Sequence, residues 1–262
     1  MTGGTLTVLM NIGQNTGSGV IFRSALRFSL DFILPPRCAN CSARVVSHGH
    51  LCPACWGTLK PLAAPFCECC ALPFEFDARD GDICGSCIQE TPAFDWARAA
   101  VLYDELGRKM VLQLKYSGAA AAVPAMTQMM VNALAGSRVD VIMPVPLHRR
   151  RLLGRRFNQS QLLAADLARR MDVPLDTFSL FKHRATESQG GLNRKARFRN
   201  VHASFAVADD RKTLVAGKNI LLVDDVLTTG ATATACANTL KKAGAKSVGL
   251  CTYARVGKAI AG

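Results

Sequence analysis

The chain has 262 residues, 49% of them apolar, and a formal net charge of +13. That length and apolar content exclude a chain unable to bury a core, and they leave room for one large domain or two small ones. The positive charge predicts attraction to polyanions but does not choose between nucleotide phosphates and nucleic acid.

Residues 1 to 18, rich in Gly, Thr and Asn, read as disordered. In 20 to 34, VIFRSALRFSLDFIL, residues Arg23, Arg27 and Asp31 recur at every fourth position. That spacing puts them on one face of an amphipathic helix and leaves Val20, Phe22, Leu26, Leu30 and Ile33 on the other. The stretch is too short and too charged to span a bilayer, and no small-residue cleavage site follows it. A helix packed on the protein itself is the simplest reading, with a partner or membrane-surface contact as the other. With no export signal in view, the expected location is the cytoplasm.

Nine of the eleven cysteines fall between positions 38 and 87. Eight form pairs with two-residue gaps: Cys38 with Cys41, Cys52 with Cys55, Cys67 with Cys70, and Cys84 with Cys87. A two-residue gap brings two thiolates to one side of a tight knuckle, which tetrahedral zinc needs. Two Zn²⁺ ions are therefore expected, each held by four sulfurs. Sequential pairing joins Cys38, Cys41, Cys52 and Cys55 in one site and Cys67, Cys70, Cys84 and Cys87 in the other; an interleaved pairing is open at this point. Cys69 is left over as an alternative ligand. Disulfides, favoured in secreted domains, and iron–sulfur clusters are the competing chemistries. Few large apolar residues lie between the pairs, so metal must supply much of the folding energy here. A closed four-sulfur site has no open position for catalysis, which makes it structural, with a contact surface as its further use.

Near Pro92 the composition shifts from Cys-rich to Ala-, Leu- and Val-rich. This gives three segments: 1–36, 37–90 and 91–262. Residues 97 to 103 predict a strand, and 105 to 116 and 120 to 135 predict helices. Residues 140 to 146, DVIMPVP, predict a buried strand running into a loop, and Phe157 to Met171 a helix with apolar positions at helical spacing. That order predicts a parallel α/β fold. Arg149, Arg150, Arg151, Arg155 and Arg156 crowd the intervening loop, as an anion or nucleic-acid surface or as a solvated face. The stretch 182 to 200, KHRATESQGGLNRKARFRN, is basic with no apolar period. Cys236 and Cys251 read as small buried hydrophobes.

The most informative run is Ile220 to Thr232, ILLVDDVLTTGAT. Four apolar residues suit a parallel strand buried on both faces, and Asp224 and Asp225 follow where its carboxyl end would reach solvent. Thr228, Thr229 and Thr232 offer hydroxyls, and Gly230 lets the backbone turn. Ala231 opens a helix whose unpaired N–H groups and dipole favour an anion. The acids cannot hold a phosphate, but they can accept hydrogen bonds from neighbouring sugar hydroxyls. The combination predicts a ribose 5-phosphate site. Acids that merely cap an ordinary helix would not explain the hydroxyl-rich turn.

VDDVLTTGAT resembles the 5-phosphoribosyl-1-pyrophosphate (PRPP) motif of type I phosphoribosyltransferases. With LDFILPPRC, the four Cys pairs, LKYSG around Lys115, PVPLHRRRLLGRRFNQSQLLA and RATESQGGLNRKARFRNV, the chain resembles the ComF family of competence-associated proteins over residues 28 to 255. One departure is Arg156, where the family has Gly. The resemblance implies an α/β type I phosphoribosyltransferase fold, a parallel sheet flanked by helices, preceded by a small Cys₄ zinc-ribbon domain. It implies that Asp224 and Asp225 hold the ribose hydroxyls, that residues 228 to 232 (Thr228, Thr229, Gly230, Ala231, Thr232) wrap the 5-phosphate, and that Val226 and Leu227 belong to the same PRPP site. Pro146, Leu147 and His148 would line the pyrophosphate loop, and Lys115 would join the PRPP site. His148 reads equally well as a solvated loop residue. In this fold a mobile hairpin closes over the reacting centre, where Arg184, Arg194, Lys195, Arg197 and Arg199 are candidates to neutralise pyrophosphate, Arg194 and Arg197 foremost. PRPP with Mg²⁺ is the expected ligand. Single-stranded DNA and competence or recombination proteins are the expected partners. Phosphoribosyl transfer to an unidentified acceptor, purine salvage, and non-catalytic single-stranded-DNA binding with the PRPP site as a sensor are the readings it leaves.

Overall fold

A computed structural model describes residues 35–79, 81–116, 119–147, 157–183 and 204–257. The expected N-terminal disorder and amphipathic helix, the arginine-rich loop at 148–156 and residues 184–203, which take in most of the basic stretch, lie outside the described residues. From Arg37 onward the chain forms one unit, distinct from residues 1–36.

Its centre is a parallel sheet in the order β1 (Trp96–Leu102), β6 (Ser247–Arg255), β5 (Asn219–Leu227), β2 (Val141–Pro144). Neighbours are hydrogen-bonded in parallel register throughout, with Trp96 opposite Gly249, Val223 opposite Cys251 and Pro144 opposite Val223. The continuous apolar run of β5 is explained by its two covered faces. Leu221 and Val223 pack with α3 (Glu105–Tyr116), α4 (Ala119–Ala133) and α5 (Gln159–Met171), whereas Ile220 and Leu222 pack with α7 (Ala231–Lys242). Gly249 is required by its neighbour, since a Cβ there would lie 2.2 Å from the Trp96 ring.

Strand β5 departs from expectation in one instructive way. The apolar pattern ends at Val223, yet the strand continues through both acids to Leu227, because β6 is long enough to pair with it: Asp224 meets Thr252 and Leu227 meets Arg255. On the other side pairing with β2 stops at Val223. The acids therefore stand on a strand that is paired along one edge only, where the sheet opens toward solvent. The segments on either side of the basic stretch form an antiparallel pair, β3 (Leu180–Lys182) and β4 (Phe205–Val207), joined from Leu180 opposite Val207 to Lys182 opposite Phe205. Among the remaining helices, the short α6 (Lys212–Val215) leads into β5.

The Cys-rich segment is built twice on one plan. In each half a cysteine N-caps a short helix, Cys52 for α1 (Pro53–Thr58) and Cys84 for α2 (Gly85–Gln89). In each half the residue after the first pair has positive φ, Ser42 at 63° and Ala71 at 54°. Residues 60–62 connect the halves along the edge of β1: Leu62 N donates to Ala100 O at 3.0 Å and Leu102 N to Lys60 O at 3.0 Å. This covers an open sheet edge. The first half leans on the α3 and α4 side through Ala39, Leu51 and Leu59, while Cys67, Cys70, Cys84 and Cys87 join the core beneath α7.

Candidate functional site

The four sulfurs of Cys38, Cys41, Cys52 and Cys55 lie within 4.8 Å of one another, as do those of Cys67, Cys70, Cys84 and Cys87, so the pairing is sequential. None of the eleven cysteines is in a disulfide. The Sγ atoms of Cys41 and Cys52 are 3.6 Å apart, and those of Cys70 and Cys84 3.7 Å. Both spacings far exceed a disulfide bond of about 2.05 Å. They approach the edge of about 3.8 Å expected of a tetrahedron with zinc–sulfur bonds of about 2.3 Å. Backbone amides prepare the thiolates: Cys52 N donates to Cys38 Sγ and Cys84 N to Cys67 Sγ, each at 3.2 Å. Burial pushes the Cys38 thiol up, but amide donors from Cys41, Cys52 and Asn40 win and hold it at about 6. The Cys67 thiol is held below its ordinary value by the same balance, with amides of Cys84, Cys70 and Cys69. The two sites fit two structural zinc ions, and Cys69 stays outside the second set.

At the carboxyl end of β5 a cleft is lined by Asp224, residues 226–233, Leu250 and Thr252. Gly230 takes φ 78° and N-caps α7, a backbone conformation that costs a residue bearing Cβ about 1–2 kcal/mol. Thr228, Thr229 and Thr232 are exposed on this turn, and Ala231 N donates to Thr229 Oγ1 at 3.4 Å. The turn thus presents hydroxyls and the amino end of a twelve-residue helix to one point in solvent.

The acids are distinguished by their partners. Asp225 Oδ2 pairs with Lys115 Nζ at 2.9 Å, from the last turn of α3. Asp224 Oδ1 accepts from Ser160 Oγ at 2.8 Å and from the Asp225 amide at 2.9 Å. Burial and the adjacent Asp225 charge push the Asp224 carboxyl up to about 7, against the Ser160 hydroxyl, the Asp225 amide and Lys115.

Of the residues expected from sequence, the structure brings Asp224, Asp225, Lys115 and the 226–232 turn to one place. Pro146 and Leu147 follow β2, whose chain stays tied to β5 through Val145 N and Val223 O at 2.9 Å. His148, Arg149, Arg150, Arg151, Arg155, Arg156, Arg194 and Arg197 lie outside the described residues. Sequence reasoning missed Ser160 and its support. Asn158 N-caps α5 by accepting from Ser160 N at 3.1 Å, and its Nδ2 donates to Val145 O at 3.2 Å, so one side chain ties the end of β2 to the helix that carries Ser160. The FNQSQ run was the available signal: an N-cap residue opening an apolar helical pattern.

Two family models match the chain. One described as a double zinc ribbon domain matches residues 29–88, and one described as a phosphoribosyl transferase domain matches 158–260. Competence protein F of Haemophilus influenzae is 26% identical over 227 residues, covering 84% of this chain and 96% of that protein. DNA utilization protein YhgH of Salmonella typhimurium is 30% identical over 210 residues, covering 78% and 89%. Competence protein ComFC of Bacillus subtilis is 28% identical over 187 residues, covering 70% and 74%.

Proposed function

The chain belongs to the family of competence protein F, ComFC and YhgH, in which a double zinc ribbon is joined to a phosphoribosyltransferase domain, and on that premise we propose that it binds PRPP and transfers the phosphoribosyl group to an acceptor. The observation that carries the reading is the placing of a threonine-lined turn, at the amino end of α7, directly after a carboxylate pair held by Lys115 and Ser160. In this assignment residues 228–232 hold the 5-phosphate. Asp224 and Asp225 accept from the ribose hydroxyls. PRPP arrives as its Mg²⁺ complex, and hard carboxylate oxygens suit that ion. Lys115, Pro146 and Leu147 complete the described part of the binding site, and pyrophosphate neutralisation is assigned to His148, Arg194 and Arg197 from the sequence alone. The bond from C1 to pyrophosphate breaks as the bond from C1 to the acceptor forms, and positioning with electrostatics supplies most of the rate. The test is PRPP-dependent release of pyrophosphate, screened against nucleobases, nucleosides and oligonucleotides. Release with a free base alone assigns purine salvage.

The charge of +13 supports a second reading, single-stranded DNA handling in association with DNA uptake, consistent with relatives named for competence and DNA utilization. No helix among the described residues is long and apolar enough to cross a membrane. The cytoplasm, which keeps thiols reduced, suits the eight zinc-binding sulfurs. If arginines 149–151 touch phosphates, single-strand affinity should fall with salt at a slope of roughly −0.7 per contact. Salt-independent binding, or none at low salt, removes this reading.

The raised Asp224 carboxyl makes a pH prediction. Only its ionised form accepts from ribose hydroxyls without donating a proton, so PRPP affinity should rise as pH passes through about 7. Ser160→Ala removes a donor that favours the charged form and should move that rise upward by about one to two pH units, because a hydrogen bond to a charged group is worth about 1.5–3 kcal/mol and one pKa unit about 1.4. Comparing variant with wild type by calorimetry cancels the titration of PRPP itself. Coincident pH profiles would remove Ser160 from the site.

A further inference from the structure

The last residue of β6, Arg255, is 7% exposed and touches both centres. Its Nε donates to Cys70 O at 2.8 Å, and its Nη2 faces Cys70 Sγ at 3.7 Å. Its Nη1 donates to Leu227 O at 3.1 Å, Thr228 O at 3.0 Å and Val256 O at 2.6 Å. Leu227 and Thr228 are the residues from which the phosphate turn departs, and Cys70 is a ligand of the second sulfur cluster. None of the ion pairs among the described residues involves Arg255. The Cys70 sulfur, a thiolate when it ligates a metal, is the ionisable side chain that these contacts place against the buried guanidinium, and a buried cation without a partner would be costly.

We propose that Arg255 is a positioning residue that couples zinc in the second cluster to the phosphate turn, so that phosphate binding and zinc retention at Cys67, Cys70, Cys84 and Cys87 reinforce each other. The inference rests on the reading of residues 228–232 as a phosphate site. The planar guanidinium fixes the Cys70 knuckle and two turn carbonyls in one frame; those carbonyls set the direction in which the following amides point. When metal no longer holds Cys70, the frame loses one side and the turn loses its preset shape. The first cluster is tied elsewhere: Gln113 Nε2 donates to Asn40 O at 3.3 Å, a bridge to α3 on the opposite face of the sheet. Coupling of this kind is reciprocal, so ribose 5-phosphate must tighten zinc by the factor with which zinc tightens ribose 5-phosphate.

The experiment is a chelator titration of the full chain carrying two zinc ions, with and without saturating ribose 5-phosphate. One ion should need about tenfold more chelator when ribose 5-phosphate is present, within the ordinary range of coupling between sites. The other should be unaffected. Cys41→Ser, which empties the first site, should keep the shifted ion, and Cys84→Ser should lose it. Arg255→Lys keeps the charge but cannot fork between Cys70 and the turn, so it should retain two zinc ions, still bind ribose 5-phosphate more weakly, and abolish the shift. If wild type binds ribose 5-phosphate while both ions release unchanged, the coupling is refuted and the phosphate site stands. If wild type fails to bind ribose 5-phosphate, both fall. Should Arg255→Lys not fold, the contrast between Cys41→Ser and Cys84→Ser decides the matter alone.

Discussion

Asp224→Asn combined with Asp225→Asn is expected to abolish PRPP binding while both zinc ions stay in place. Each carboxylate is assigned a hydrogen bond from a ribose hydroxyl, and bonds to charged groups are worth about 1.5–3 kcal/mol, so losing both should weaken binding by roughly 10² to 10⁴. The single changes should not be equal. Asp225→Asn also releases Lys115, whose charge then faces the phosphates unneutralised and offsets part of the loss. Asp224→Asn has no such offset. It should also stabilise the folded chain at pH 8, because a carboxyl raised to about 7 in the fold opposes folding once pH exceeds the ordinary carboxylate value. By about pH 4, near that ordinary value, the advantage should vanish. Calorimetry measures the affinities and thermal melts the stabilities. Unchanged PRPP affinity in the double variant would remove the acid pair from the site.

Stripping zinc should cost more than the Cys-rich segment. Elemental analysis is expected to return two zinc ions per chain, and denaturation without reductant should expose free thiols rather than disulfides. From sequence, chelation should unfold residues 38–87 alone. The structure extends that expectation, because Cys67, Cys70, Cys84 and Cys87 share a core with Phe94, Ala97, Leu227 and α7. Removing both ions should therefore loosen the phosphate end of the sheet and lower the melting temperature by at least about 10 °C, given that 1 kcal/mol is worth about 2–4 °C in a domain of this size. Hydrogen exchange should show protection lost at 227–232 as well as at 38–87. One ion per chain, or a melting temperature indifferent to chelation, would overturn the structural role.

The parts of this molecule that were legible in its sequence are those governed by local chemistry. Cys-x-x-Cys spacing declares a metal knuckle because two thiolates must meet one ion, and ILLVDDVLTTGAT declares strand, acids, turn and helix because each residue type answers a local demand. Sequence could not reveal that β5 runs on through its acids, since the cause is the length of β6, a partner more than twenty residues away in the chain. The duplicated plan of the two zinc knuckles is written in backbone angles at Ser42 and Ala71, neither a glycine, so no residue type flagged it. Ser160 and Arg255 were invisible for a different reason. A serine inside a helix and an arginine ending a strand are ordinary residues until the fold brings them to Asp224 and Cys70.

The most direct measurement is a calorimetric titration of PRPP, with Mg²⁺, into the zinc-loaded full chain. The account predicts saturable binding of one PRPP per chain, competed by ribose 5-phosphate, strengthening as pH rises through about 7 and lost in the Asp224→Asn, Asp225→Asn variant. Absence of binding across that pH range in protein that carries both zinc ions would contradict it.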